Sequence, residues 1–294
     1  MNVKAIAHNQ PIIITGMHKS GTSLTASTLQ AAGVHIGKNL MGPGPGNRLG
    51  HFEDMDLYSL HCDILKSQGI HMDGWTSQTK FDIPQPFQER ALDLLQDRRE
   101  PVRLWGWKDP RTTLFLDFWK RTIPNAKFVF VYRKPWEVVD SLFRRGDSTF
   151  ISHPRMAIKS WIAYNQAILK FYRENKDESF LFNVDNFRDE AGNGEKQVIA
   201  RLCRKLDIRL DLPNRAVYQQ NELQTPAKSN HCAMLVHKRF PQAFKLYEAL
   251  GFSADLPWAQ DAYSCSSTAS DLSKDWGFQD WMCSRKNYQA LVSA

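Results

Sequence analysis

Residues Pro11 to Leu24 read Pro-Ile-Ile-Ile-Thr-Gly-Met-His-Lys-Ser-Gly-Thr-Ser-Leu, and this stretch constrains the fold more than any other. Three consecutive isoleucines, Ile12 to Ile14, without polar alternation, predict a strand buried on both faces, as in a parallel sheet. Gly16 and Gly21 bracket a turn, and Thr22 to Ala32 predicts a helix with Leu24, Thr28 and Ala31 along one face. A strand, a glycine turn and a helix N-terminus make an anion site. The first N–H groups of the helix have no intrahelical acceptor, and the helix dipole is positive there. Lys19, Ser20, Thr22 and Ser23 add a positive charge and hydroxyls. The stretch is a phosphate- or sulfate-binding loop, which requires an α/β sheet to hold it.

The loop departs from the nucleoside-triphosphate pattern G-x-x-x-x-G-K-[ST]. Gly16 and Gly21 keep that spacing, but Thr22 and Ser23 stand where the lysine and the metal-holding hydroxyl belong. The only lysine, Lys19, lies two residues before the second glycine. The cation therefore approaches the anion from a different point, and the Mg²⁺-holding hydroxyl loses its context. A nucleotide ending in phosphosulfate, bound without metal, suits this loop better than ATP.

A second segment reads Phe128-Val-Phe-Val-Tyr-Arg-Lys-Pro-Trp-Glu-Val-Val-Asp-Ser141. Val129 to Tyr132 predicts another buried strand. Pro135 sits at the start of the next helix, where its missing N–H costs nothing. Val138, Val139, Leu142 and Phe143 give that helix an apolar stripe. Arg133 then stands at the carboxyl end of a strand, where open α/β sheets bind ligands. Ser141 stands about two turns into the helix. Both reach one oxyanion, the arginine with a forked donor and the serine with a hydroxyl. In isolation the pair would read as a surface arginine and a solvated serine; beside the first loop it reads as a second anion grip.

Lys19-Ser-Gly-Thr-Ser23 after a hydrophobic strand resembles the 5′-phosphosulfate loop of sulfotransferases that use PAPS (3′-phosphoadenosine 5′-phosphosulfate). The segment around Arg133 and Ser141 resembles that family's 3′-phosphate motif. Trp105-Gly-Trp-Lys-Asp-Pro-Arg111 resembles its lysine-bearing segment after the middle strand. The three occur in the family's order and spacing over roughly residues 10 to 190. The resemblance implies a three-layer parallel sheet of the P-loop kinase-like kind, PAPS as co-substrate, no metal, and cofactor contacts from Lys19, Ser20, Gly21, Thr22, Ser23, Arg133 and Ser141.

Sulfuryl transfer needs an acceptor oxygen to lose its proton. Cytosolic members of the family carry a histidine in a Lys-Thr-His segment, but here that segment is Lys108-Asp-Pro110, with proline at the histidine position. Glycan-modifying and bacterial members are the better match, because glycan-modifying members use a glutamate after the first helix. The corresponding stretch is Gly50-His-Phe-Glu-Asp54. Glu53 is the first candidate base and His51 the second, with Asp54 and Asp109 open. Glu53 could instead merely complement a helix dipole, and Asp109 could orient Lys108 or Arg111. Lys19 is expected to steady the leaving phosphate oxygen, and Lys108 to contact the sulfuryl group or the acceptor.

The 294 residues, 42% of them hydrophobic, suffice for one enzyme-sized domain over 1–294, with about 213–294 as a C-terminal elaboration. No run approaches the ~20 apolar residues of a membrane span, and Met1 to Gln10 lacks a signal-peptide core, so a soluble cytoplasmic protein is expected. The formal charge of +7 favours an anionic partner such as a nucleotide; no nucleic-acid motif is present. Five cysteines, Cys62, Cys203, Cys232, Cys265 and Cys283, form no C-x-x-C pair, which argues against zinc and a disulfide framework. Helices are expected at Leu57–Gln68, Phe87–Arg98, Thr112–Arg121, Pro154–Asn175, Glu195–Leu206 and His237–Leu250, and strands at Val102–Lys108 and Ser179–Val184. Gly37–Gly50, Gly69–Pro86 and Ser264–Asp271 are expected to be irregular, and Trp276 and Trp281 to pack against the core. Three functions remain in view: transfer from PAPS to a carbohydrate, glycolipid or small-molecule hydroxyl; a kinase of small molecules or nucleotides with a variant loop; and a non-catalytic PAPS- or anion-binding protein.

Overall fold

The structure is a computed structural model that describes residues 10–44, 50–96, 98, 104–188, 193–212, 229–257 and 277–292. Among the described residues, four strands form one wholly parallel sheet in the order β2-β1-β3-β4: β1 Ile12–Thr15, β2 Gly106–Lys108, β3 Lys127–Tyr132 and β4 Ser179–Asn183. The register pairs Ile13 with Trp107, Ile14 with Val129 and Val131 with Phe182. Every residue of β1 and β4 is buried, as the unbroken apolar runs require of strands covered on both faces.

Strand alternation splits the core into two layers. Ile13, Phe128, Phe130 and Leu181 face one side, against α2 (Met55–Ser67), α4 (Leu116–Thr122), α5 (Pro135–Arg145) and α7 (Arg155–Glu174). Ile12, Ile14, Val129, Val131, Phe180 and Phe182 face the other, against α1 (Thr22–Ala31) and α8 (Gly194–Leu206). The result is the expected three-layer arrangement, a parallel sheet between two layers of helices, with the glycine loop following β1. Helix α3 (Gln85–Gln96) packs on α2, and the short α6 (Ser148–Ser152), which the sequence did not suggest, packs between α5 and α7.

Three local differences have physical causes. On α1 the buried residues include Leu24, Thr28 and Leu29, while Ala31 points to solvent and Ala32 takes the inner place. The helix expected at Thr112–Arg121 begins instead as a 3₁₀ turn over Pro110–Phe115. Asp109 accepts the Arg111 N–H there at 2.8 Å, and Thr15 Oγ1 holds the Asp109 carbonyl at 2.8 Å, which pulls the turn tight against β1. The helix expected at His237–Leu250 is two helices, α9 (Ser229–Arg239) and α10 (Pro241–Ser253), because Pro241 cannot donate to the preceding turn. Strand β2 is shorter than Val102–Lys108; Val102 and Arg103 lie outside the described residues, as do 45–49 of the glycine-rich loop, Ser264–Asp271, Cys265 and Trp276. No helix among the described residues is long and apolar enough to cross a membrane.

The last helix, α11 (Phe278–Val292), is fastened to α5 through one buried carboxylate. Asp140 Oδ1 accepts from Trp281 Nε1 at 2.9 Å and from Arg285 Nε at 2.6 Å, and Oδ2 accepts from Arg144 Nε at 3.0 Å. Trp281 packs edge-on against Phe143, as expected of a core tryptophan. Asp140→Ala strands a buried indole N–H and two guanidinium groups at once. It is expected to lower the unfolding free energy by about 3–5 kcal/mol, measured by urea denaturation, whereas Arg285→Ala, which removes only one partner, should cost about 1 kcal/mol or less.

Candidate active site

The glycine loop lies against the ends of β3 and β4. A Cβ on Gly16 would stand 2.3 Å from the Val131 carbonyl oxygen, and one on Gly21 would stand 2.3 Å from Val184 Cγ2. Gly21 also has φ of 97° and forms the N-cap of α1, so both close packing and backbone conformation demand glycine there. Helix α1 has no side chain capping its N-terminus and no acidic residue in its first turn. The first N–H groups of the helix and its dipole give this end a positive electrostatic character. Ser20 Oγ is buried and has no hydrogen-bond partner among the described residues. Buried hydroxyls rarely go unpaired, so Ser20 Oγ is open to an additional donor or acceptor at the loop. Ser23 behaves differently: its hydroxyl donates to the His51 carbonyl at 3.1 Å and ties the loop to the segment before α2. Thr22 is buried at the start of α1.

Two non-glycine residues flank the site in left-handed conformations, Lys19 at φ 65° and Phe52 at φ 56°. Such strain tends to collect where a side chain must be aimed. Half-buried Lys19 has its pKa lowered from 10.5 to about 8, chiefly by loss of hydration and then by the nearby cations Arg145, Arg144 and Arg133. An anion in the loop would reverse that repulsion.

Arg133 stands at the carboxyl end of β3, buried, and is linked to both halves of the expected cofactor site. Its Nε donates to Glu137 Oε2 at 2.7 Å, one turn into α5, and its Nη1 donates to the Lys19 carbonyl at 3.4 Å. Trp161 Nε1 holds the Arg133 carbonyl at 3.2 Å. Ser141 follows on α5, buried, one turn beyond Glu137. Glu137 was legible four residues after Arg133 as an i,i+4 partner, although the sequence reading did not use it.

The catalytic candidates meet on the other side of the loop. Asp54, not Glu53, caps α2: its Oδ1 accepts from the Asp56 and Leu57 N–H groups, and the same carboxylate pairs with Arg98. Glu53 is thereby turned inward. Its Oε1 lies 2.7 Å from Lys108 Nζ and its Oε2 lies 3.1 Å from Arg111 Nη1. All three side chains are almost wholly removed from water. Asp109 sits behind Arg111, accepting from its Nη1 at 2.9 Å and from His61 Nδ1 at 2.8 Å. Burial alone would raise the Asp109 pKa, but Arg111 and His61 hold it well below the usual carboxylate range. His51 is half-buried beside this group; burial lowers its pKa, Glu53 opposes that, and Lys108 and Lys19 add to it. His61 and Trp119, which joins it through Nε1 at 3.0 Å, are the residues sequence reasoning missed. Nothing in their spacing marks them, because they converge from separate helices. Among the described residues no cluster of histidine, cysteine and carboxylates is arranged to hold a metal ion.

Residues 11–211 match the profile of a protein family described as the sulfotransferase family. Among solved structures, the chain is similar to the sulfotransferase domain of an olefin synthase from Synechococcus, at 19% identity and a TM-score of 0.48, covering 85% of this chain and 96% of that one. It is also similar to a sulfotransferase from Mycobacterium avium, at 14% identity and a TM-score of 0.46, covering 82% of this chain and 71% of the other. A sulfotransferase from Mycobacterium tuberculosis H37Rv shares 11% identity at a TM-score of 0.40, covering 85% and 78% of the two chains. No curated protein matches the chain significantly.

The lowered Lys19 pKa gives a test of the loop. Lys19 is protonated below about 8 and loses its charge above it. The affinity for PAP (3′-phosphoadenosine 5′-phosphate), measured by titration calorimetry, is expected to be flat from pH 7 to 8 and then to weaken by up to about tenfold per pH unit. Lys19→Arg, whose charge does not titrate in this range, should flatten the profile.

Proposed function

Because the chain belongs to the sulfotransferase family, we propose that it transfers a sulfuryl group from PAPS to a hydroxyl acceptor, by in-line displacement without a metal. The observation that carries this reading is the contact between the two anion grips. Arg133 reaches the backbone of Lys19 within the glycine loop, so a 5′-phosphosulfate at the loop and a 3′-phosphate at Arg133 and Ser141 can belong to one nucleotide. The uncapped N-terminus of α1 and the unpartnered Ser20 hydroxyl support an anion with several acceptor oxygens at the loop.

Each residue then has a task. The N–H groups of Gly21, Thr22 and Ser23 and the Ser20 hydroxyl hold the 5′-phosphate, while the Ser23 hydroxyl keeps the loop joined to His51. Lys19 steadies the phosphate oxygen that leaves as the S–O bond breaks. Lys108 meets the sulfuryl oxygens. Glu53 takes the proton of the acceptor hydroxyl as its oxygen forms the new bond to sulfur, and PAP departs with the electron pair of the broken bond. The acceptor is a hydroxyl of a carbohydrate, glycolipid or small molecule. One observation favours a second reading, a PAPS-binding protein without transfer activity: Glu53 is held by two cations, which a purely structural carboxylate would be too.

Two measurements test the donor and the base. PAP should raise the thermal midpoint without added metal by mass action, and ADP at equal concentration should not. Arg133→Ala should weaken PAP binding by about 2–4 kcal/mol through loss of a charge-assisted fork; equal stabilisation by PAP and ADP would remove the 3′-phosphate assignment. Glu53→Gln should leave PAP affinity nearly intact and lower turnover with labelled PAPS by roughly 10²–10⁴. Near-normal turnover in that variant would pass the role of base to His51, since Asp109 is enclosed by Arg111 and His61.

A further inference from the structure

The two cations on Glu53 are held very differently. Arg111 is enclosed: its Nε donates to the Met72 carbonyl at 2.7 Å, its Nη2 reaches Asp73 at 3.2 Å, and its Nη1 serves both Asp109 and Glu53. Its guanidinium also lies over the Tyr58 ring, 4.6 Å from the centroid. Burial works against its charge, and Asp109 and Glu53 more than offset that. Lys108 has a single partner among the described residues, Glu53 Oε1. Behind Arg111 the contacts continue into the core. Trp119 Nε1 donates to His61 Nε2, and an indole nitrogen can only donate, so Nε2 accepts and the ring proton sits on Nδ1. That N–H donates to Asp109 Oδ2, leaving Oδ1 for Arg111. His61 also stacks on Phe115, with 5.5 Å between ring centroids. Trp119 from α4, His61 from α2 and Asp109 from the turn after β2 thus converge on one guanidinium.

Resting on the sulfuryl-transfer reading above, we infer that Trp119, His61 and Asp109 form a buried brace that fixes Arg111, and that Arg111 is a positioning residue setting the direction of the Glu53 carboxylate. Arg111 is the fixed cation and Lys108 the movable one. With Oε2 pinned by Arg111, Oε1 is the oxygen that receives the acceptor proton, and Lys108 swings from Oε1 to the sulfuryl group without leaving Glu53 unpaired. A carboxylate misaimed by about an ångström loses turnover by roughly 10² without loss of cofactor binding.

The test combines kinetics with a measurement that needs no turnover. In the wild-type protein, ¹⁵N spectra of the histidines should show His61 protonated at Nδ1; a proton at Nε2 overturns the brace. Trp119→Phe removes one N–H and keeps an aromatic ring, so Nε2 loses its donor and the imidazole one of its two anchors while Asp109 still holds the Nδ1 proton. Arg111→Lys and Trp119→Phe should each lower kcat by about 10–100-fold, with the acceptor KM and the PAP-induced thermal shift little changed. The double variant should be no slower than Arg111→Lys alone, because both changes act through one guanidinium. Multiplying effects, or a loss of PAP binding in step with turnover, overturn the positioning role. If Trp119→Phe does not fold, the wild-type tautomer and Arg111→Lys still decide the question. A wild-type protein that binds PAP, shows the Nδ1 tautomer and transfers nothing from PAPS to a panel of hydroxyl acceptors overturns the functional reading, and the positioning role with it.

Discussion

The pairing of β1 with β2 on one side and β3 on the other is the constraint from which the site follows. In a parallel sheet the carboxyl ends of neighbouring strands lie on one edge. The end of β1 therefore delivers the glycine loop, the end of β2 delivers Lys108, and the residue after β3 is Arg133. Three groups scattered over more than a hundred residues of chain meet because their strands are hydrogen-bonded in register. Thr15 Oγ1 reinforces the arrangement from β1, bonding the Asp109 carbonyl and the Thr113 hydroxyl, each at 2.8 Å.

Burying so much charge along that edge is costly unless each group is matched. The structure matches most of it with carboxylates: Glu53 with Lys108 and Arg111, Asp109 with Arg111, Glu137 with Arg133, and Asp140 with Arg144 and Arg285. At the glycine loop, burial first and then three nearby arginines lower the Lys19 pKa, and Asp147 works against them. The loop around it carries an uncapped helix end and an unpartnered serine hydroxyl. The same edge thus holds a group of paired charges around Glu53, Lys108 and Arg111 beside the loop that carries Lys19.

The helices beyond residue 212 bear on the site indirectly. Helices α9, α10 and α11 all pack on α5, the helix that carries Glu137, Asp140 and Ser141. Trp136 at its start stacks on Phe244 of α10, and Trp281 bonds Asp140 beside Ser141. The C-terminal segment thereby covers α5, the helix that carries Ser141. The sequence of that segment shows none of this, because a packing face is defined only by what it meets.

By itself the sequence determined the local elements and the anion loop. Runs such as Ile12–Ile14 and Val129–Tyr132 suit a strand covered on both faces, and a glycine turn before a helix has one electrostatic character. Glu53 and Lys108 were legible as candidates only through the resemblance to sulfotransferases, and Arg133 and Ser141 through that resemblance together with their place after a buried strand. Tertiary structure decided what these residues do to one another. It turned Glu53 away from the helix dipole by giving the cap to Asp54, placed two unequal cations on its carboxylate, and drew His61 and Trp119 in behind them. Those outcomes depend on contacts between groups about 50 to 60 positions apart, whose cost or benefit depends on burial. Burial is a property of the packed whole, so no local pattern in the chain could carry it.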